Sequence, residues 1–289
     1  MNLTIIIPAF NEAEGIGAVL TTLRSFLDLQ HVQAAIIVID DGSTDETGAK
    51  ASAVPGVRVI THTLNKGYGA ALKTGITAAT TEWVITYDSD SQHTPENLGA
   101  ALPTLKENVD LVIGKREGYS GPLVRQPGKR LIGIVANYLT ETKIPDFNSG
   151  FRAFRREKVL PYLHLFPNGF SFSTTSTVCF LKEGLNVLFV PIRIKERTGK
   201  STVRPRDAVK TFMLILRLIM LFSPLRIFMP ATVVLALMAT AEVSYELIVH
   251  RNFSDAGVAL LSLTCMIFFF GLLADQVATL RREIGKHSA

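Results

Sequence analysis

Within six residues, Tyr87-Asp88-Ser89-Asp90-Ser91-Gln92, two carboxylates and an amide fall at alternate positions. Three hard oxygen ligands so close together suit Mg²⁺ or Mn²⁺, which take carboxylate, carbonyl and water ligands. An ion held by Asp88, Asp90 and Gln92 could clamp a diphosphate and neutralise its charge as it leaves. The same residue types also build surface turns, so the surrounding elements must decide. The apolar run Trp83-Val84-Ile85-Thr86-Tyr87 directly before the motif reads as a buried strand, which sets the acidic cluster at a strand's carboxyl end.

Four further runs share that form. Leu3 to Ile7 leads into Pro8-Ala9-Phe10-Asn11-Glu12, and Ile36 to Ile39 into Asp40-Asp41-Gly42-Ser43-Thr44-Asp45. Val57 to Ile60 precedes Asn65-Lys66-Gly67-Tyr68-Gly69, and Leu111 to Ile113 precedes Gly114-Lys115-Arg116. Between the first two runs, Ile16, Val19, Leu20, Leu23, Phe26 and Leu27 recur at helical spacing. Alternating strand and helix signals predict an α/β domain with a mainly parallel sheet. Such sheets bind ligands beyond the carboxyl ends of their strands, where the polar clusters collect, so one shared site explains them better than five separate loops. Gly67-Tyr68-Gly69-Ala70-Ala71-Leu72 imitates a dinucleotide fingerprint, but Leu72 stands where the third glycine belongs and the expected acidic residue is missing. It reads as a tight turn into a helix, whose backbone N–H groups can face an anion.

At 289 residues the chain holds one domain of about 200 residues plus an addition. Mean hydropathy is +0.28, high for a soluble protein, and the excess is local. Ile227 to Val249 and Ala256 to Leu280 are almost wholly apolar. Each is long enough to cross a hydrocarbon core of about 30 Å, which predicts two transmembrane helices joined by His250 to Asp255. Lys210, Arg217 and Arg226 before them, and Arg281, Arg282 and Lys286 after them, place both ends in the cytoplasm. The N-terminus enters a strand with no charged leader, so the large N-terminal part is expected on the cytoplasmic face of the cell membrane. Cys179 and Cys265 suggest neither a disulfide framework nor a zinc site. The basic run Arg193 to Lys210 attracts anionic headgroups. Val209, Phe212, Met213, Leu216 and Met220 predict an interfacial helix that Pro224 ends. Arg130, Leu131, Ile134, Val135 and Tyr138 mark an amphipathic helix expected to pack on the domain core, with lipid contact as the other option. Glu242, inside the first span, receives no role. The boundaries are then 1–205 for the catalytic domain, 206–225 for the juxtamembrane helix and 226–289 for the two-helix anchor.

Pro8-Ala9-Phe10-Asn11-Glu12, Asp40-Asp41-Gly42-Ser43-Thr44-Asp45, Asn65-Lys66-Gly67 and Asp88 through Glu96 resemble the family-2 glycosyltransferases of GT-A fold. The resemblance is strongest to the polyprenyl-phosphate branch, which includes dolichyl-phosphate mannosyltransferases and undecaprenyl-phosphate glycosyltransferases. Asp146-Phe147-Asn148-Ser149-Gly150-Phe151-Arg152, Arg197-Thr198-Gly199-Lys200-Ser201 and the two spans extend it over essentially the whole chain. The resemblance implies that Pro8, Ala9, Asn11, Glu12, Asp40, Asp41, Gly42, Lys66, Gly67, Asp88 and Ser89 line the nucleotide-sugar pocket, with Asp40 near the base. It implies Asp88, Asp90 and Gln92 as ligands of Mg²⁺ or Mn²⁺. Arg116, Arg130, Arg197, Lys200 and Ser201 would meet the phosphates of donor and lipid acceptor, and Asp146 would organise the site. Where relatives carry a small hydroxyl one turn after Arg130, this chain has Ile134. A homo-oligomer is also implied.

A lipid phosphate is largely ionised near neutral pH, its second pKa being about 6. It needs little help from a base to attack an anomeric carbon, and direct displacement inverts that carbon. The site must chiefly bring two anions together, with a metal on the leaving diphosphate and arginines on the attacking phosphate. The donor is expected to be a UDP-sugar, with GDP-mannose possible, and the acceptor a polyprenyl phosphate. Residues Phe170 to Thr177 are expected to face donor or acceptor. A processive polysaccharide synthase would carry a Gln-x-x-Arg-Trp motif, whereas the single tryptophan is Trp83. An inactive membrane scaffold is the other alternative. A net charge of +5, with the basic residues gathered near the spans, argues against nucleic acid.

Overall fold

The computed structural model describes residues 2–89, 94–117, 126–194, 205–252 and 254–284, and only the backbone of 126–129 and 205–211. Two compact units divide it: the chain up to Ala208, and Val209–Ile284.

The first unit is built on a seven-stranded sheet: β1 (Leu3–Ala9), β2 (Ala34–Asp40), β3 (Val57–Thr61), β4 (Trp83–Thr86), β5 (Leu111–Arg116), β6 (Arg152–Arg155) and β7 (Val187–Ile192). Their spatial order is β3-β2-β1-β4-β6-β5-β7. All neighbours are parallel except β6, which runs antiparallel to both β4 and β5. Every residue of β1 is buried, as a strand covered on both faces requires. On one face Leu3, Ile5 and Ile7 join Ile16, Val19, Leu20, Leu23 and Leu27 of α1 (Ile16–Leu29) in the core. On the other, Ile6 lies against Gly75 of α3 (Tyr68–Ala78). The short α2 (Thr47–Ser52) lies between β2 and β3, and α4 (Pro95–Ala101) between β4 and β5.

The five expected strands are present, and β1 is longer than expected. It runs through Ala9, so Pro8 and Ala9 pair with Ile39 and Asp40 inside the sheet rather than lining a loop. Two strands, β6 and β7, were not expected, nor was α7 (Phe172–Lys182), reached through α6 (Arg156–Val159) and a 3-10 turn. This corrects the expectation that residues 170–177 face a ligand, for the part from Phe172 onward. Every residue from Phe172 to Phe180 is buried, and Ser176 and Thr177 donate to Ser173 O at 3.1 and 3.0 Å. Phe170 alone is wide open. The amphipathic helix is α5 (Gln126–Thr140), but turned from the expected register. Ala136 and Leu139 enter the core, while Leu131, Ile134 and Tyr138 are exposed.

The second unit holds most of α8 (Pro205–Phe222), and all of α9 (Leu225–Val249) and α10 (Asp255–Ile284). Pro224 separates α8 from α9. At 25 and 30 residues, α9 and α10 are long and apolar enough to cross a membrane. Their seam is made of small side chains. Gly257, Thr264, Gly271 and Ala278 recur every seven residues on α10, and Thr232 and Ala239 do so on α9; all are buried. A Cβ at Gly271 would stand 2.6 Å from the Cβ of Phe228. Small residues let apolar helices approach closely enough for dispersion contacts to hold them.

Candidate active site

Because β6 runs against β4 and β5, the residues just before it return to the same edge where those two strands end. That edge is the candidate site. Thr86 Oγ1, at the end of β4, donates to Gly150 O at 2.5 Å. A Cβ on Gly150 would lie 2.5 Å from Asp88 Oδ2, so only glycine lets this loop meet the carboxylate. Gly150→Ala is expected to displace Asp88 and lower turnover about 100-fold while the fold holds. Steady-state kinetics beside circular dichroism would check this, and wild-type turnover would refute it.

Asp88 is partly buried, and its Oδ1 accepts a hydrogen bond from Tyr68 OH at 3.0 Å. Sequence reasoning assigned Tyr68 no role, although it stood in the cluster after the third strand run and in the decoy glycine motif. Tyr87 is buried beside Asp88, and burial, then the charges of Glu96 and Asp88, push its phenol pKa well up, so it stays neutral.

Asp146 lies in the same returning loop. Arg116, from the end of β5, grips it with a two-pronged contact: Nε to Oδ2 at 2.7 Å and Nη2 to Oδ1 at 2.8 Å. Asn148 N also donates to Asp146 Oδ1 at 3.2 Å. Arg116 was expected on a phosphate; here its guanidinium is engaged by Asp146. Beneath the loop sits Arg152, wholly buried. Its Nε donates to Ser149 O at 2.8 Å and its Nη2 to Phe147 O at 3.1 Å. Its Nη1 reaches Ser176 Oγ at 3.2 Å and Thr177 Oγ1 at 2.8 Å. Burial lowers the Arg152 pKa to about 10, and it remains a cation at neutral pH.

The two aspartates ending β2 differ in what they face. Asp40 Oδ1 accepts Ser43 N at 3.0 Å within its own turn. Asp41 is spent on the protein. Its Oδ1 accepts Lys66 N at 3.0 Å and its Oδ2 accepts Gly67 N at 2.7 Å. The buried His62 ring adds a contact from Nδ1 to Oδ1 at 2.7 Å, and Nε2 lies 2.9 Å from Thr74 Oγ1. Asp41 therefore sets the Lys66–Gly67 turn, a job for which His62, unnoticed in the sequence, is the support. The β1 and β2 loops are laced together. Asn11 takes a left-handed φ of 55°; its N–H donates to Ser43 Oγ at 3.0 Å and its Oδ1 accepts Thr44 N at 2.9 Å. Glu12 N donates to Thr47 Oγ1 at 2.8 Å. Gly42 is also left-handed, Lys66 is exposed and Ser89 is buried. Arg130 is exposed on α5, and no hydrogen bond or ion pair joins it to this cluster among the described residues.

Asp90, Gln92, Arg197, Lys200 and Ser201 lie outside the described residues. Of the expected metal ligands Asp88 is the described one. A carboxylate at a strand end, with Tyr68 OH on one oxygen and a bare glycine against the other, offers the hard oxygen donor that Mg²⁺ and Mn²⁺ prefer. Asp88 is thus a donor of the kind such an ion takes.

Residues 4–162 match Glycosyl transferase family 2, and residues 223–280 match the GtrB C-terminal hairpin. Polyprenol monophosphomannose synthase of Mycolicibacterium smegmatis is 31% identical over 214 residues, covering 67% of this chain and 77% of that protein. Undecaprenyl-phosphate 4-deoxy-4-formamido-L-arabinose transferase of Sodalis glossinidius is 23% identical over 298 residues, covering 97% of this chain and 90% of its own length. Among solved structures, glucosyl-3-phosphoglycerate synthase from Mycobacterium tuberculosis with Mg²⁺ and UDP superposes with a TM-score of 0.59 at 24% identity, over 75% of this chain and 78% of that one. The first unit thus has the GT-A fold: a mixed, mostly parallel sheet with Asp88 at the end of a central strand. With more than half its length under the family match and the second unit under the hairpin match, the chain belongs to glycosyl transferase family 2.

Proposed function

We propose that this protein is a membrane-bound, inverting glycosyltransferase. It moves a hexose from a nucleotide-diphosphate sugar, UDP-linked in preference to GDP-linked, to a polyprenyl phosphate. The observation that carries this reading is the convergence of Asp88, Gly150 and the Arg116–Asp146 pair at one sheet edge of a family-2 domain followed by an apolar hairpin. The names of the relatives supply the acceptor class.

In this scheme Asp40 and the laced β1 and β2 loops take the nucleoside, and the Lys66–Gly67 turn faces the diphosphate. Asp88, with Asp90 and Gln92, would hold Mg²⁺ or Mn²⁺; the bound ion neutralises charge on the leaving diphosphate. Asp146, locked by Arg116, keeps the returning loop rigid against Asp88 and acts as an organiser; the ionised acceptor phosphate has no need of a strong base. Arg130, Arg197, Lys200 and Ser201 receive the acceptor phosphate. The helices α9 and α10 anchor the enzyme with both ends on the cytoplasmic side, following the basic residues that flank them.

The test is transfer from radiolabelled UDP- and GDP-sugars to undecaprenyl phosphate, with Mn²⁺ and with EDTA. A chloroform-soluble product, inverted at the anomeric carbon and formed only with metal, is expected. Failure with every donor, or a retained configuration, would overturn the scheme.

A further inference from the structure

Phe170 is 80% exposed, more than any other large apolar side chain among the described residues. It is nonetheless held firmly. Its ring stacks on Tyr68 at 5.3 Å between centroids, with 18° between planes. The loop that carries it is fastened to the start of α3. Ala70 N donates to Asn168 O at 3.1 Å, and Lys73 Nζ donates to Asn168 Oδ1 at 2.9 Å. Phe172 N donates to Gly169 O at 3.1 Å. The fit depends on two glycines. Gly67 has a φ of +98°, and a Cβ there would be 2.6 Å from Asn168 O; one at Gly69 would overlap Pro167 O. The sequence thus spends two glycines and a set of hydrogen bonds to hold a phenyl ring open to solvent. Tyr68, its stacking partner, reaches Asp88 Oδ1 at 3.0 Å.

We infer that Phe170 and Tyr68 form a wall on which the transferred sugar lays the C–H face of its ring. The inference rests on the proposed function and extends it to the sugar's own contact surface. Three apolar parts of the two substrates could meet such a wall: the nucleobase, the pyranose ring and the first isoprene unit. The nucleobase is assigned to Asp40 at the end of β2, whereas Tyr68 adjoins Asp88 at the end of β4. Those strands flank β1 on opposite sides, so their ends are about 10 Å apart. The isoprene lies beyond the acceptor phosphate, which must attack the anomeric carbon from the side opposite the leaving diphosphate. The group directly next to the diphosphate is therefore the sugar, and the surface contiguous with Asp88 is its surface. A pyranose presents weakly positive C–H groups on one face, and an aromatic face is its electrostatic complement. Such a wall grips many hexoses without reading each hydroxyl.

The test uses the full-length chain in detergent with Mn²⁺. Binding of UDP-glucose, UDP-N-acetylglucosamine and GDP-mannose is measured beside binding of UDP and GDP, for wild type, Phe170→Leu and Phe170→Tyr. Leucine keeps apolar area and removes the ring. For whichever nucleotide sugar the wild type binds, Phe170→Leu is expected to weaken affinity about five- to tenfold. Affinity for the bare nucleoside diphosphate and KM for undecaprenyl phosphate should not move, and Phe170→Tyr should recover affinity to within about twofold. Equal loss for sugar-free nucleotide would assign the wall to the base. Loss confined to the acceptor's KM would assign it to the isoprene, and unchanged binding in Phe170→Leu would remove it from the site; each overturns the inference. A wild type that binds a nucleotide sugar but transfers nothing to undecaprenyl phosphate would defeat the proposed acceptor alone, and the Phe170 comparison would still decide the wall. A wild type that binds no nucleotide sugar defeats both.

Discussion

Asp88→Asn is expected to lower sugar transfer by about 10³-fold or more and to leave the protein folded. Asparagine has the shape of aspartate, and its Oδ1 still accepts from Tyr68 OH, a contact made at 3.0 Å in the wild type. The close approach of Gly150 is equally undisturbed. What the substitution removes is charge, and charge is what a divalent ion and a leaving diphosphate respond to. Turnover and Mn²⁺-dependent nucleotide binding should fall together, with an unchanged circular dichroism spectrum. Wild-type turnover in Asp88→Asn would mean that the diphosphate does not lie at the end of β4. Asp90→Asn is the parallel substitution that the resemblance suggests.

A large loss of stability is expected from Arg152→Met. Burying a guanidinium costs several kcal/mol, and what offsets it is a full set of charge-assisted hydrogen bonds, each contributing about 1.5–3 kcal/mol. Methionine fills much of the same space but donates nothing. Ser176 and Thr177 keep bonds to Ser173 O. Phe147 O and Ser149 O lose the donors that now meet them at 3.1 and 2.8 Å. Two buried carbonyls without partners cost about 2–6 kcal/mol, less the relief of removing the buried charge. A net loss near 3 kcal/mol corresponds to a drop in Tm of about 6–12 °C for a domain of this size. Arg152→Lys should fare little better, because an ammonium cannot reach carbonyls and hydroxyls set in a planar fork. Thermal melts in detergent would decide, and a shift under about 2 °C would show that the network contributes little. Residual activity at low temperature should fall further than stability, since the loop on Arg152 also carries Asp146 and Gly150.

Much of the architecture could be read from the chain because its signals are local. Each of β1 to β5 is an apolar run closed by a polar cluster, and α9 and α10 are long apolar runs broken by a short polar link. What escaped was non-local. Arg152-Ala153-Phe154-Arg155 has arginines at both ends and looks like surface, yet β6 lies buried between two strands, with the N–H donors of its first arginine met by carbonyls and hydroxyls rather than carboxylates. The hydroxyl-rich α7 resembled pocket lining, but the helix is buried, and its Ser176 and Thr177 hydroxyls bond to Ser173 O and to Arg152. The candidate site was legible as residue types at strand ends. Its pairings were not: Asp88 with Tyr68, Arg116 with Asp146, and Asp41 with His62 join residues 20 to 30 positions apart. Composition cannot say which of two adjacent aspartates, Asp40 or Asp41, holds the Lys66–Gly67 turn.

The antiparallel strand at the middle of the sheet also bears on how the protein is made. The chain emerges from synthesis with β1 to β4 first, and the outer flank of Trp83–Thr86 has no partner until Arg152–Arg155 appears. In that interval an all-buried, uncharged strand offers open backbone hydrogen-bonding groups, the condition under which nascent chains pair with one another. The site cannot assemble earlier either, because Asp88 meets Gly150 only when that same strand docks. Shielding of the β4 edge and assembly of the catalytic edge are thus one event, and a polypeptide ending before Arg152 should accumulate as aggregate rather than as a smaller nucleotide-binding domain.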